Sequence, residues 1–133
     1  MLGPVQREGH ETDFGNLHLR GWVSTITAHI AASDVVVASS GDTIVHEIAR
    51  VGRPYVCTPE WRYFDEQMRK GERLAELGAA ILVPSWPGAS TPWRGLLDAA
   101  KALDPAALAS LHTPTAASAA NYLDRFATNL WTR

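Results

Sequence analysis

Within 34-DVVVASSGDTIVHEIARVGRPYVCTP-59 an apolar run, a small-residue elbow, a helical pattern and a second apolar run follow one another in 26 residues. Val35, Val36, Val37 and Ala38 read as a strand buried on both faces, and Ile44, Val45, Ile48 and Val51 recur at helical spacing. Gly52 is expected to end that helix, and 54-PYVCTP-59 to form the next strand. Strand, helix and strand in this order make a βαβ unit with a right-handed crossover and parallel strands. Few other arrangements bury both apolar runs, so the rest of the chain has to fit around an α/β sheet.

The flanking segments agree. The segment 17-LHLRGWV-23 reads as a short strand, and 24-STITAHIAAS-33 as a short helix capped by Ser24 or Thr25. A helix is expected from Asp65 to Leu77 with Met68, Leu74 and Leu77 inward and Gly78 closing it, then a strand at 80–84. Helices follow over 93–103, from Pro105 to Leu111, and over 115–131, the last an alanine-rich packing helix with Tyr122, Leu123, Phe126 and Leu130 on one side. Leu2 to Val5 reads as a strand and 6–16 as a polar connector. The 133 residues are expected to form one domain, a partial Rossmann-like parallel sheet flanked by helices.

Charge and composition exclude several functions. Twelve basic against fourteen acidic residues, scattered along the chain, make no footprint for nucleic acid or an anionic membrane. No run reaches the length of a membrane span, and the first residues lack the apolar core of a secretory signal, so a cytoplasmic location is expected. The lone Cys57, in an apolar strand, reads as a buried thiol rather than a nucleophile. His10, His18, His29 and His112 show no metal-ligand spacing, and His46 reads as a hydrogen-bonded structural histidine. The five tryptophans are expected to line the core or a cleft.

In an open α/β sheet ligands bind outside the carboxyl ends of the strands, where the elbow after Ala38 and the loop after Pro59 should face one cleft. The helix start at Asp42 favours an anion. Ser39, Ser40 and Thr43 add hydroxyl donors, and Gly41 permits close approach to the backbone. Glu47 is placed to accept from vicinal hydroxyls such as those of a ribose, and Asp65 and Gln67 from those of a sugar. Each has a plain structural reading too: Ser40 or Asp42 as an N-cap, Glu47 as a solvated acid, and Asp65 as a residue favouring a helix start.

The span from Gly21 to Pro84 resembles the carboxyl-terminal half of GT-B glycosyltransferases of the family-28 type, the group that includes the enzyme making lipid II. The resemblance is carried by Ser40-Gly41, Glu47, Gly52-Arg53-Pro54, Pro59, Asp65-Glu66-Gln67, Leu74 and Gly78-Ala79-Ala80, in order and at the family's intervals. It implies that Ser40, Gly41 and nearby amides hold a donor diphosphate, that Glu47 binds the ribose, and that Asp65 and Gln67 touch the donor sugar. Trp22 and Val23 would border the base. No cofactor, metal ligand or catalytic residue is implied; the donor substrate would be a nucleotide sugar, a UDP-sugar by family habit.

The sequence departs from the family pattern in three ways. Asp42 brings a negative charge to the phosphate end of the helix unless a base such as Arg62 pairs with it, and Lys70-Gly71 replaces the usual asparagine-alanine. The chain also has no counterpart of the amino-terminal, acceptor-binding domain or of the first strands of the donor domain. The expectation is therefore the donor-binding portion of an inverting hexosyltransferase. It would be inactive without an acceptor-binding half, either as a truncated form or as a subunit that joins another or itself. The competing expectations are a non-catalytic nucleotide-sugar-binding or protein-interaction module, and an α/β fragment that binds nothing.

Overall fold

The computed structural model describes residues 12–13, 15–112 and 115–131. The elements run β1 (Thr12–Asp13), β2 (His18–Leu19), α1 (Ile26–Ala31), β3 (Val36–Ala38), α2 (Asp42–Val51) and β4 (Tyr55–Cys57). A 3-10 turn (Tyr63–Asp65) leads to α3 (Glu66–Glu76), followed by β5 (Ile81–Leu82), α4 (Trp93–Lys101), α5 (Pro105–Ala109) and α6 (Thr115–Trp131). The strand expected over Leu2 to Val5 lies outside the described residues.

The central sheet has the order β3-β4-β5 and is parallel throughout, Val37 lying opposite Val56 and Val56 opposite Ile81. This is the expected α/β class. On one face Tyr55 and Cys57 join Val45, Ile48 and Ala49 of α2 and Leu74 of α3, with Ile30 and Leu108 closing the periphery. Strand alternation turns Val56 to the other face, where it is fully buried and α4 packs against β4 and β5. Burying each large aliphatic side chain of this core contributes about 1.5–3 kcal/mol. Val37, at the edge of that second face, is exposed, and among the described residues β3 pairs only with β4.

Helix ends follow local chemistry. Gly52 stops α2 in the left-handed region at φ 73°, its N–H donating to Ile48 O at 2.8 Å. Asp104 caps α5 by accepting from Ala106 N at 2.9 Å, with Pro105 in the first turn. Gly71 sits where α3 crosses the sheet: a Cβ there would stand 2.9 Å from Leu82 Cδ1, 3.0 Å from Pro59 Cγ and 3.2 Å from Cys57 Sγ. The residue that replaces the family's alanine lets α3 lie close against β4 and β5.

Four expectations need correction. The strand over 17–23 shrinks to His18–Leu19 and pairs antiparallel with β1, since Gly21 at φ 55° turns the chain before it can reach the sheet. Leu77 is exposed, because the inward stripe of α3 is Gln67, Gly71 and Leu74 and ends one turn short of it. His46 is exposed, flanking the buried stripe of Val45, Ile48 and Ala49 on α2. The apolar stripe of α6 is not packed: Tyr122, Leu123, Phe126 and Leu130 are all exposed.

Candidate donor site at the carboxyl edge

The elbow after β3 and the loop after β4 do meet. Ser40, fully buried, donates from Oγ to the main-chain carbonyl of Gln67 at 2.6 Å, tying the elbow to the first turn of α3. Tyr55 reaches from β4 to donate its hydroxyl to Ser39 O at 2.6 Å, and Thr58 N donates to Ala38 O at 2.8 Å. Burial pushes the phenol of Tyr55 far above its ordinary range, so it stays a donor. Burial likewise raises Cys57, which is a structural thiol inside the core as expected.

Ser40 therefore spends its hydroxyl on the scaffold, which corrects the expectation that this group faces a ligand. It is not an N-cap either, since Gly41 holds that position with an extended backbone and no side-chain cap bond. Gly41 instead leaves room for one small group. A Cβ there would stand 3.9 Å from Gln67 Nε2 and from Ser39 Oγ, so the amide, the hydroxyl and the start of α2 border the same spot. Gln67 is buried, and its Oε1 accepts from Glu60 N at 3.0 Å, which orients Nε2. Thr43 lies exposed on the first turn of α2.

Asp42 forms an ion pair with Lys70, not with Arg62, which binds Glu60 at 2.7 Å. The hydrogen bond from Lys70, then its charge, holds the Asp42 carboxyl below the usual range. The acid at the positive end of α2 thus carries its own counter-charge, supplied by the departure at Lys70. On the second turn of α2, Glu47 is half-buried and accepts from Thr27 Oγ1 of α1 at 2.6 Å through Oε2, which fixes the carboxylate and leaves Oε1 to accept from a ligand. Trp22 is exposed and Val23 half-buried, both ahead of α1. Asp65, exposed with φ 52°, sits directly before α3.

The tryptophans are divided. Trp22, Trp61 and Trp86 are exposed rather than in the core, and of the core or cleft positions expected for the tryptophans, Trp61 and Trp86 take the second, flanking an open cleft of about 480 Å3 beside Asp65. Among the described residues no cluster of potential metal ligands occurs, and no helix is long and apolar enough to cross a membrane.

No protein-family model matches the chain. Over 80 residues, 59% of its length, it is 34% identical to the UDP-N-acetylglucosamine--N-acetylmuramyl-(pentapeptide) pyrophosphoryl-undecaprenol N-acetylglucosamine transferase of Shewanella sp. (strain W3-18-1). The transferase of the same description from Methylorubrum populi is 33% identical over 81 residues. The chain is homologous to these glycosyltransferases. The match covers 21% of each relative, so the chain spans about a fifth of their length. The crystal structure of the kitacinnamycin glycotransferase has a TM-score of 0.58 over 80% of this chain and 28% of that one, with 22% identity. The fold is the partial Rossmann-like, GT-B-type sheet flanked by helices that the ordered motifs implied.

Proposed function

We propose that the chain forms the nucleotide-sugar donor site of an inverting glycosyltransferase. The observation that carries this reading is the place left by the absent side chain of Gly41, bordered by the start of α2 and the Gln67 amide, with the braced carboxylate of Glu47 on the second turn of α2. The main-chain N–H groups at the start of α2 would take the diphosphate, Glu47 Oε1 the ribose hydroxyls, and Asp65 and Gln67 the sugar. Trp22 and Val23 would border a uracil. As an acceptor hydroxyl attacks the anomeric carbon, charge grows on the departing diphosphate, where the helix dipole and N–H groups stabilise it without a covalent intermediate. The acceptor-binding half comes from outside these residues, and the edge of β3 that has no partner among the described residues offers a place for the sheet to continue.

Calorimetric titration with UDP and ADP tests the reading. UDP should bind more tightly than ADP, and Glu47→Ala should weaken UDP by about tenfold or more, the scale of hydrogen bonds to a charged group. Equal affinities for the two nucleotides, unchanged by the substitution in a folded protein, would overturn it. The exposed apolar stripe of α6 favours one second reading, in which the chain docks on a partner without taking part in transfer. Sugar transfer restored by adding a separate acceptor-binding half would exclude it.

A further inference from the structure

Beside the nucleotide contacts lies the cleft of about 480 Å3 between the loops that follow β4 and β5, walled by Trp61 and Trp86 and floored by Met68, with Glu60, Arg62 and Asp65 around it. Trp61 is 76% and Trp86 80% exposed, so both indoles present ring surface to the cleft mouth and to solvent. Trp61 is steadied by Tyr63, the ring centroids 5.2 Å apart and tilted by 59°. Glu60 and Arg62 hold each other at 2.7 Å, presenting a carboxylate and a guanidinium at the rim. The loop reaches this shape only by placing two non-glycine residues, Phe64 at φ 65° and Asp65 at φ 52°, in the left-handed region. Each costs about 1–2 kcal/mol.

We infer that this cleft is a pyranose seat, in which a sugar lays its C–H face on the indole of Trp61 or Trp86 and hydrogen-bonds its hydroxyls to Glu60, Arg62 and Asp65. The negative π face of an indole suits the weakly positive C–H face of a sugar ring. The volume suits a small ligand rather than a flat partner surface. The cores of protein interfaces are depleted of charged side chains, whereas three line this cleft. The two carboxylates disfavour a phosphate or a nucleic acid. Asp65 stands both here and in the proposed donor contacts, so the sugar comes from the donor or from the acceptor. The choice between those two sources rests on the donor reading; the stacking does not.

The full chain, its Trp61→Ala/Trp86→Ala variant and Glu47→Ala are titrated with UDP, with UDP-N-acetylglucosamine and with a nucleotide-free N-acetylglucosamine disaccharide. Both tryptophans are exposed, so the double variant should fold. If the seat takes the donor sugar, the sugar nucleotide binds about five- to tenfold more tightly than UDP, and the double variant loses that gain while UDP itself is unaffected. If it takes the acceptor, the disaccharide binds, the double variant abolishes this, and Glu47→Ala preserves it. A failure to bind UDP would break the donor reading but leave the disaccharide result standing. The inference is overturned if neither sugar ligand responds to loss of both tryptophans, or if their loss alters only the state of association.

Discussion

At the elbow after β3, Ser40 is fully buried with its hydroxyl on Gln67 O, Ser39 O is held by Tyr55, and the absent side chain of Gly41 leaves a place beside the Gln67 amide and the Ser39 hydroxyl. In the loop after β4, Trp61, Tyr63 and Phe64 stand exposed, the last by 94%, and two residues are held in the left-handed region. The two loops border one edge, yet one spends its polar groups on the scaffold and the other spends backbone conformation on displaying side chains. The elbow can serve a ligand through main-chain amides and shape; the loop can serve one through side chains. Recognition by amides is insensitive to many side-chain changes, while recognition by exposed rings is easily retuned, which suits a constant diphosphate beside a variable sugar.

The strongest way to break this contrast acts beneath both loops. Gly71→Ala places a methyl group 3.0 Å from Pro59 Cγ and 3.2 Å from Cys57 Sγ, and Leu82 must rotate away. Overpacking of this kind costs about 1–3 kcal/mol, and the better helix propensity of alanine returns about 1. A net loss of up to about 2 kcal/mol by urea denaturation is expected, with a larger loss for Gly71→Val. An unchanged midpoint for both would show that α3 is free to move off the sheet.

A smaller effect is expected at Ser40→Ala, which removes one buried hydrogen bond for about 1 kcal/mol. The same variant should keep its UDP affinity within about twofold, a difference of about 0.4 kcal/mol, because the hydroxyl it removes is turned to Gln67 O rather than to a ligand. A collapse of UDP binding with stability unchanged would make the hydroxyl a ligand donor and dissolve the distinction between the loops. The smallest effect belongs to Phe64→Gly. Relief of the left-handed backbone offsets the added chain entropy, so stability should stay level or rise by up to about 1 kcal/mol, read as a thermal midpoint. A fall of more than that would mean that Phe64 packs against something.

Much of the fold was legible before any coordinates. Asp42–Val51 has the bounds that its apolar spacing implied, because a helix with Ile44, Val45, Ile48 and Val51 on one side has one way to bury them. Gly52 and Pro105 mark helix ends by backbone preference alone. The pairing of β3 with β4 follows from the short crossover between them. These are local matters, settled by residues within a turn or two of one another.

The partners of the site residues were not legible. Ser40 finds Gln67 across 27 positions, Asp42 finds Lys70 across 28, and Thr27 finds Glu47 across 20. Arg62 was a plausible partner for Asp42 by charge, yet it turned to Glu60, two residues away. Nor could composition tell a buried tryptophan from Trp61 or Trp86, since an indole has the same apolar surface whether it fills a core or walls a cleft. By itself the sequence determined the βαβ order, the helix ends and the family motifs, all encoded in periodicity and backbone preference over short range. Tertiary structure alone decided which hydroxyls and charges are spent on holding the edge together and which remain for a ligand, because that depends on which side chains packing brings within hydrogen-bonding distance.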